Sequence, residues 1–258
     1  MGKLTLQQIK GGLQLFYDLE SRPKYVVEVA EYAGEKELTI NCTQLDGYRY
    51  PQYKKASDKK RVLSEWCRFL TEHPKAFVDL GFGTRMPQDL FNAVCKQEDL
   101  KRLHIKWGVY SDISAIAELQ KLEYFHIGSG AGVLSIEPLA KLKNLVALSV
   151  ENFQKITDYR PLTTLDHLEL LSIEGDGLSP HYIHVDSLDF LREMKQLRSF
   201  SLMTARLASK DYTPILELEN LEYLYLPPCK EVKAIYEQLL ALPKLKYGPL
   251  LERPELYH

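Results

Sequence analysis

The sequence predicts an α/β solenoid, in which a curved parallel β-sheet forms the concave face and 3₁₀ or short helical turns form the convex face. Two observations lead to this prediction. A triplet with the spacing apolar-x-x-apolar-x-apolar recurs through about two-thirds of the chain, and the segments between triplets carry an apolar residue every third position. A third observation, that residues 1–73 lack the triplet, predicts an α+β cap at the N-terminal end.

The triplets begin 22 to 29 residues apart, and a fixed period of this size is typical of repeat architectures. In a strand, residues two apart share a face, so the last two apolar residues of each triplet point to one side. One short strand cannot bury that side alone, whereas stacked copies build a continuous core behind a parallel sheet. The triplets are Phe77, Leu80, Phe82; Leu100, Leu103, Ile105; Leu122, Phe125, Ile127; Leu145, Leu148, Val150; Leu168, Leu171, Ile173; Leu197, Phe200, Leu202; and Leu221, Leu224, Leu226, with a degenerate copy from Leu245.

The segments that return from one strand to the next have a different period. Ile113, Ile116, Leu119 and Leu122 are spaced by three residues, which suits a 3₁₀ or short α-helical turn with one buried stripe.

These repeats resemble the leucine-rich repeat family over residues 74 to about 250. Residues 134–142 and 156–165 look like the short return segments of the internalin and phosphatase-1-regulator type, in which Pro138 and Pro161 would begin a 3₁₀ turn. We therefore assign residues 74–258 to the solenoid, with a degenerate C-terminal cap. The family usually has Asn three residues after the last strand apolar residue. Because this chain has none there, we expect irregular turns; the seven positions hold Arg85, Gly108, Gly130, Phe153, Asp176, Ala205 and Cys229.

Residues 1–73 are predicted to form the cap as a helix, a hairpin and a second helix. The first helix would run from Leu4 towards Glu20 with a break at Gly11-Gly12, and the hairpin would join 25–29 to 37–41. The second helix would be capped by Ser57 and run through His73. A solenoid needs a cap because its core is open at each end. The alternative is that residues 1–73 are a small domain with its own partner.

The composition of the chain argues against several classes of protein. The 258 residues include 33 basic and 35 acidic side chains, for a net charge of -2, which argues against a generally basic nucleic-acid binder. The four cysteines form no C-x-x-C motif, and no apolar run is long enough for a signal peptide or a membrane span. We expect a cytoplasmic monomer with no membrane association, although an effector exported by a signal-less route would have the same features.

A binding surface is predicted on the concave face, where the residues between the core positions of each strand point outwards. Early repeats offer basic and aromatic side chains, middle repeats acidic ones and the last repeat tyrosines, and Tyr and Arg are frequent at interface hot spots. The predicted binding residues are Arg102, His104, Lys106, Trp107, Tyr124, His126, Glu151, Glu174, Tyr223 and Tyr225. The 29-residue spacing marks an insertion at 175–184, whose His181, Tyr182 and His184 are possible loop contacts.

No motif for chemistry is found in the sequence. It has no phosphate-binding G-x-x-x-x-G-K-[ST], no nucleophile elbow G-x-S-x-G and no zinc-binding H-E-x-x-H. We therefore predict no catalytic residues, no metal and no cofactor. His104 and His126 would lie on adjacent strands, and we expect them to be a stacked, exposed pair.

The resemblance implies protein partners. We predict a non-enzymatic protein–protein interaction module that binds its partner through the concave face, in an adaptor, inhibitor or immunity-type role. One alternative is an enzyme with a site in or beside residues 1–73, marked by titratable groups near Asp79, Arg102 and His104. A weaker alternative is anionic-ligand or nucleic-acid binding at the Arg102, Lys106 and Trp107 cluster.

Overall fold

The computed structural model describes residues 4–11, 23–45, 50–176 and 181–257. Within these ranges, nine strands form one parallel sheet in the order β1-β2-β3-β4-β5-β6-β7-β9-β11, and β8 pairs separately with β10. The strands are β1 (Tyr25–Val26), β2 (Glu37–Ile40), β3 (Asp79–Phe82), β4 (Arg102–Ile105), β5 (Tyr124–Ile127), β6 (Ala147–Glu151), β7 (Leu170–Glu174), β8 (Ile183–Val185), β9 (Ser199–Met203), β10 (Ala205–Leu207) and β11 (Tyr223–Tyr225).

The convex side carries 3₁₀ turns between the strands, as the three-residue spacing predicts. They span Ser114–Glu118, Glu137–Lys141, Arg160–Thr164, Asp189–Glu193 and Thr213–Glu217. Pro138 and Pro161 lie in the first turn of their 3₁₀ segments, as predicted. The α-helices are α1 (Leu6–Gly11), α2 (Ala56–Glu72), α3 (Gln88–Val94), α4 (Lys230–Ala234), α5 (Tyr236–Leu240) and α6 (Pro249–Glu252). The part of the predicted first helix that follows Gly11, and loop residues 177–180, lie outside the described residues.

One apolar core runs between the sheet and the convex turns, from Val26 to Tyr257. The strand residues of the triplets are in register from one repeat to the next; Leu103, for example, pairs with Leu80 on one side and with Phe125 on the other. This layered core and the parallel sheet confirm the predicted α/β repeat solenoid. No helix of the described residues is long and apolar enough to cross a membrane.

The predicted N-terminal hairpin is wrong. β1 and β2 run parallel, with Tyr25 opposite Thr39, and β2 pairs in turn with β3. A 3₁₀ turn at Val29–Glu31 lies between β1 and β2, as such turns lie between the later strands, so this segment has the layout of a repeat. Alternating apolar residues specify a strand but not the direction of its neighbour, which is why the sequence pattern was compatible with both arrangements.

Helix α2 covers the core next to these first strands. It begins at Ala56, with Lys55 at the N-cap position in place of the predicted Ser57, and buries Val62, Trp66 and Leu70. The indole Nε1 of Trp66 donates a hydrogen bond of 2.7 Å to the carbonyl of Val27, which ties the helix to the connection after β1.

The turns after the strands are irregular, as expected without the Asn. Ser129, Asn152 and Thr204 adopt positive φ angles of 51°, 58° and 48°. Their neighbouring backbone groups bond to the next repeat: the amide of Gly130 donates to the carbonyl of Glu151, and that of Gly175 to Met203. Backbone contacts between repeats therefore supply partners that a side-chain ladder would otherwise provide.

Candidate functional site

The residues that alternate with the core positions along each strand form three in-register rows across the sheet, on the face opposite the core. The first row contains Asp79, Arg102, Tyr124, Ala147, Leu170, Ser199 and Tyr223. The second contains Gly81, His104, His126, Ser149, Ser172, Ser201 and Tyr225. The third contains Gly83, Lys106, Gly128, Glu151, Glu174, Met203 and Pro227, of which Glu151, Glu174 and Met203 are joined by strand pairing.

Arg102, on β4, contacts a side chain on each of the two neighbouring strands, β3 and β5. Its Nε lies 3.3 Å from the Asp79 carboxylate, which is buried, and its guanidinium carbon lies 5.6 Å from the centre of the Tyr124 ring. Lys106 is exposed and Trp107 is half-buried after the end of the strand. The structure thus brings Arg102, Tyr124 and Asp79 into direct contact and leaves Lys106 facing solvent.

His104 and His126 stack as predicted, with ring centroids 4.6 Å apart and planes 16° from parallel. They are not exposed, however: His126 is only 6% accessible, and its Nδ1 lies 3.0 Å from the Ser149 hydroxyl. Burial lowers the pKa of His104 to about 4 and that of His126 to about 3. Both rings are therefore neutral at pH 7, which allows them to stack without charge repulsion.

The acidic residues of the middle repeats lie beside this pair. Burial, with the nearby charges of Glu174 and Asp176, raises the pKa of Glu151 to about 7. Burial also raises the pKa of Glu174, although the Ser172 hydroxyl donates a hydrogen bond to its carboxylate. Among the described residues, no three His, Cys, Asp or Glu side chains are grouped so that they could hold a metal ion.

Part of the first row is covered by the N-terminal segment of the same chain. Leu4 and Ile9 pack against Val146, Ala147 and Leu170 in an apolar cluster separate from the main core. Tyr124 and Tyr223 pack against the two edges of this cluster. Helix α1 therefore lies on the concave face of the sheet.

Polar contacts fix the backbone of this segment. The Leu4 amide donates to the Glu169 carboxylate at 3.2 Å, and Arg198 donates to the Leu4 carbonyl at 3.1 Å. Arg198 is itself held between Glu169 and Glu222, at 2.9 Å and 2.7 Å. These charged residues precede the first residues of β7, β9 and β11, so they line one edge of the first row.

Two further contacts hold the other end of the segment. The Ser199 hydroxyl donates to the carbonyl of Ile9 at 3.3 Å. The Lys10 ammonium lies 3.7 Å from the centre of the Tyr247 ring, and Tyr247 extends the first row by a bridge to Tyr223. Tyr223 and Tyr225 are half-buried at this end of the face.

The last residues of the insertion, from 183 onwards, belong to a separate two-stranded sheet. β8, which holds His184, pairs with β10, so His184 lies opposite Arg206. Tyr182 is 44% exposed, and the Arg206 guanidinium carbon lies 5.0 Å from its ring centre. An open pocket of about 530 Å³ lies beside Tyr182 and reaches Lys210, Tyr212 and Pro228. His181 and His184 are both exposed.

The sequence predicts a helix in the N-terminal segment, but its docking on the concave face was missed by reasoning from the sequence. A signal was nevertheless present, because Ala147 and Leu170 are apolar at outward-facing positions where neighbouring repeats have Tyr124 and Ser199. Two adjacent apolar residues on an otherwise polar sheet face indicate that something covers them.

Comparisons with known proteins agree with this architecture. No model of a known protein family matches the sequence, and no curated protein matches it. A leucine-rich-repeat protein of Leptospira interrogans is similar in structure at 16% identity and a TM-score of 0.50, over 85% of this chain and 51% of that one. This chain thus spans about half the length of that protein.

Two other solved structures have lower TM-scores. Internalin C2 of Listeria monocytogenes matches at 19% identity and a TM-score of 0.43, over 67% of this chain and 68% of that one. A plant peptide hormone receptor, solved in complex with RGF2, matches at 15% identity and a TM-score of 0.39, over 57% of this chain and 23% of that one. The parallel sheet, the 3₁₀ turns and the similarity to the Leptospira protein together show that the chain has the fold of a leucine-rich-repeat solenoid.

Proposed function

We propose that this chain is a non-enzymatic module that binds a protein partner through the concave face of its sheet. The observation that carries the proposal is the set of in-register rows, which place side chains of different chemistry at fixed positions on one rigid surface. A preorganised surface spares the entropy that a flexible one loses on binding.

The distribution of chemistry along the rows supports a protein partner over a small molecule. Arg102 and Tyr124 lie at one end, Glu151 and Glu174 in the middle, and Tyr223 and Tyr225 at the other end. Such a surface gives a partner a defined register through opposite charges, and aromatic residues and Arg supply contact energy. We also propose that the complex serves as an adaptor, an inhibitor or an immunity-type blocker.

The test is affinity capture from native lysate with a concave-face variant that carries Arg102→Glu, Lys106→Glu and Tyr124→Ala. A matched control reverses two charges on the convex turns, with Lys141→Glu and Arg160→Glu. Circular dichroism and melting first establish that both variants fold. We expect a protein that wild type and control retain and the concave variant loses; identical sets of captured proteins from all three would contradict a site at this end of the face.

A further inference from the structure

We propose that residues 4–11 act as an intrasteric inhibitor of this module: they occupy the concave groove over Val146, Ala147 and Leu170, and a partner binds there by displacing them with a short apolar segment of its own. The inference rests on the proposed function, because it assigns a site and a mode of regulation to the same concave face.

The groove is formed by Ala147 and Leu170, the two aliphatic residues of the first row, and by Val146, which precedes Ala147. Val146, Ala147 and Leu170 are 3%, 0% and 1% exposed, and Leu4 and Ile9 are the residues that pack on them. Removing that segment would open a contiguous apolar patch across two neighbouring strands. Exposed patches of this kind mark sites of protein association.

The segment sits on the groove as a separable ligand would. Helix α1 has six residues, and a helix this short is unstable in water without partners. One side of the segment makes the contacts, through Leu4 and Ile9, whereas Leu6 on the same helix is 45% exposed. The segment is therefore ordered by the groove, and a competing ligand has few contacts to replace.

The contacts define the chemistry that the groove accepts. The hydrogen bonds from Glu169, Arg198 and Ser199 to the segment involve its backbone atoms, at Leu4 and Ile9, and not its side chains. Segments with many different sequences could therefore make the same hydrogen bonds. Selectivity comes from the side chains: two apolar residues five apart fill the groove, and the basic residue that follows reaches the Tyr247 ring. The expected occupant is thus a partner's helical turn with the pattern apolar-x-x-x-x-apolar-basic.

Tethering makes the chain's own segment an effective competitor. Because the segment belongs to the same chain as the groove, its binding is intramolecular, so even weak contacts keep the groove filled. The apparent affinity for a partner then falls in proportion to the fraction of molecules with an open groove.

The first experiment measures access to the groove by thiol labelling. Ser199→Cys is nearly isosteric, lies under Ile9 and is read by mass spectrometry of its tryptic peptide, with Ala147→Cys as a second reporter. In the background Leu4→Ser/Ile9→Ser we expect both reporters to label at least tenfold faster than with the native segment. Leu6→Ser, the same change on the exposed side of the helix, should label at the native rate. Rapid labelling of both reporters beneath the native segment would overturn the proposal.

The second experiment asks whether the open groove takes a segment from outside. The probe is the acetylated, amidated peptide of residues 4–11 at millimolar concentration, added to the folded Leu4→Ser/Ile9→Ser protein that also carries Ser199→Cys. We expect the peptide to restore protection of the introduced thiol, whereas a peptide with Ser in place of its first Leu and its Ile should not. Equal labelling with both peptides would show that the groove is not a ligand site.

The third experiment uses any partner that the capture experiment identifies. We expect the Leu4→Ser/Ile9→Ser protein to bind it at least tenfold more tightly than wild type or Leu6→Ser. Equal affinity would overturn competition even if labelling shows that the segment covers the groove. Because a wild-type bait with a filled groove would capture a partner poorly, the Leu4→Ser/Ile9→Ser protein also serves as bait. If neither bait captures a partner, the proposed function fails, while labelling and the peptide still decide whether the groove is a covered ligand site.

Discussion

At the scale of single residues, Gly130 shows how tightly the irregular turns are packed. A Cβ at this position would overlap Cε1 of Phe153, whose ring is fully buried. Both residues occupy positions where the repeat family usually has Asn, so an aromatic ring packed on a glycine replaces the side-chain hydrogen bonds of that ladder in these two repeats.

We therefore expect Gly130→Ala to lower the free energy of unfolding by about 1–3 kcal/mol, because the ring of Phe153 must move within a packed core. Urea unfolding followed by circular dichroism measures the change. Gly81→Ala is the control, since its Cβ would meet Thr39 Oγ1 at 3.0 Å, a contact that a small shift relieves. Equal losses for the two variants would contradict the packing argument.

Glu151 gives a prediction for pH dependence. Burial raises its pKa to about 7 in the folded chain, above the ordinary value of 4.5, so the folded state binds the proton more tightly than the unfolded state. The stability that this proton contributes is complete below pH 4.5 and is lost as the pH rises through 7. Ionised Glu151 therefore destabilises the fold at alkaline pH.

Glu151→Gln is neutral at every pH, so we expect it to be more stable than wild type by about 1 kcal/mol at about pH 8 and nearly equal to it at about pH 4.5. The figure is smaller than a direct conversion of the pKa change, because the carboxylate is partly solvated. Melting temperatures at the two pH values measure the effect. Glu193→Gln, the same substitution on an exposed convex turn, is the matched control. A constant difference between Glu151→Gln and wild type would refute the assignment.

At the scale of elements, the Trp66 indole joins α2 to the connection after β1 by a hydrogen bond. We expect Trp66→Phe to lower the free energy of unfolding by about 2–3 kcal/mol, because it leaves the Val27 carbonyl without its donor and removes buried volume. Trp107→Phe changes the chain's other tryptophan, which is half-buried, and should stay within about 0.5 kcal/mol of wild type. Denaturant titration measures the free energy of unfolding of both variants. A similar loss of stability in both would contradict the role of Trp66 in holding α2.

The elements also show what sequence reasoning can and cannot supply. The seven strands from β3 to β11 in the main sheet were predictable, because each triplet repeats its apolar spacing and so specifies both strand and register. The parallel pairing of β1 with β2 was not, because two strands give no period. The position of α1 was also not predictable, since Leu4 and Ile9 touch residues more than 130 positions away and share no pattern with them.

The candidate site was likewise predictable from the sequence only in part. The rows that carry Arg102, His104 and Glu151 were predictable from strand alternation alone. The burial of His104 and His126 was not, because alternation assigns a face but not what lies over it. Ala147 and Leu170 were the available hint of a cover, although nothing in their repeats identifies the covering segment.

At the scale of the whole molecule, one apolar core connects β1 to the last turns. We therefore expect a single unfolding transition, in which Trp66 fluorescence, measured in a Trp107→Phe background, coincides with loss of far-UV circular dichroism. Repeat proteins can unfold in stages when neighbouring repeats couple weakly. An earlier transition in Trp66 fluorescence would instead establish residues 1–73 as a separate unit, which is the alternative to a cap.

The docked N-terminal segment has a consequence for synthesis of the chain. Its hydrogen bonds join Leu4 to Glu169 and Arg198, 165 and 194 positions later, and Ile9 to Ser199, 190 positions later. At about 5–20 residues per second, roughly 10–40 s pass between translation of the segment and translation of its groove. During that interval Leu4 and Ile9 leave the ribosome without their binding site, and nascent-chain chaperones can reach them before the strands do.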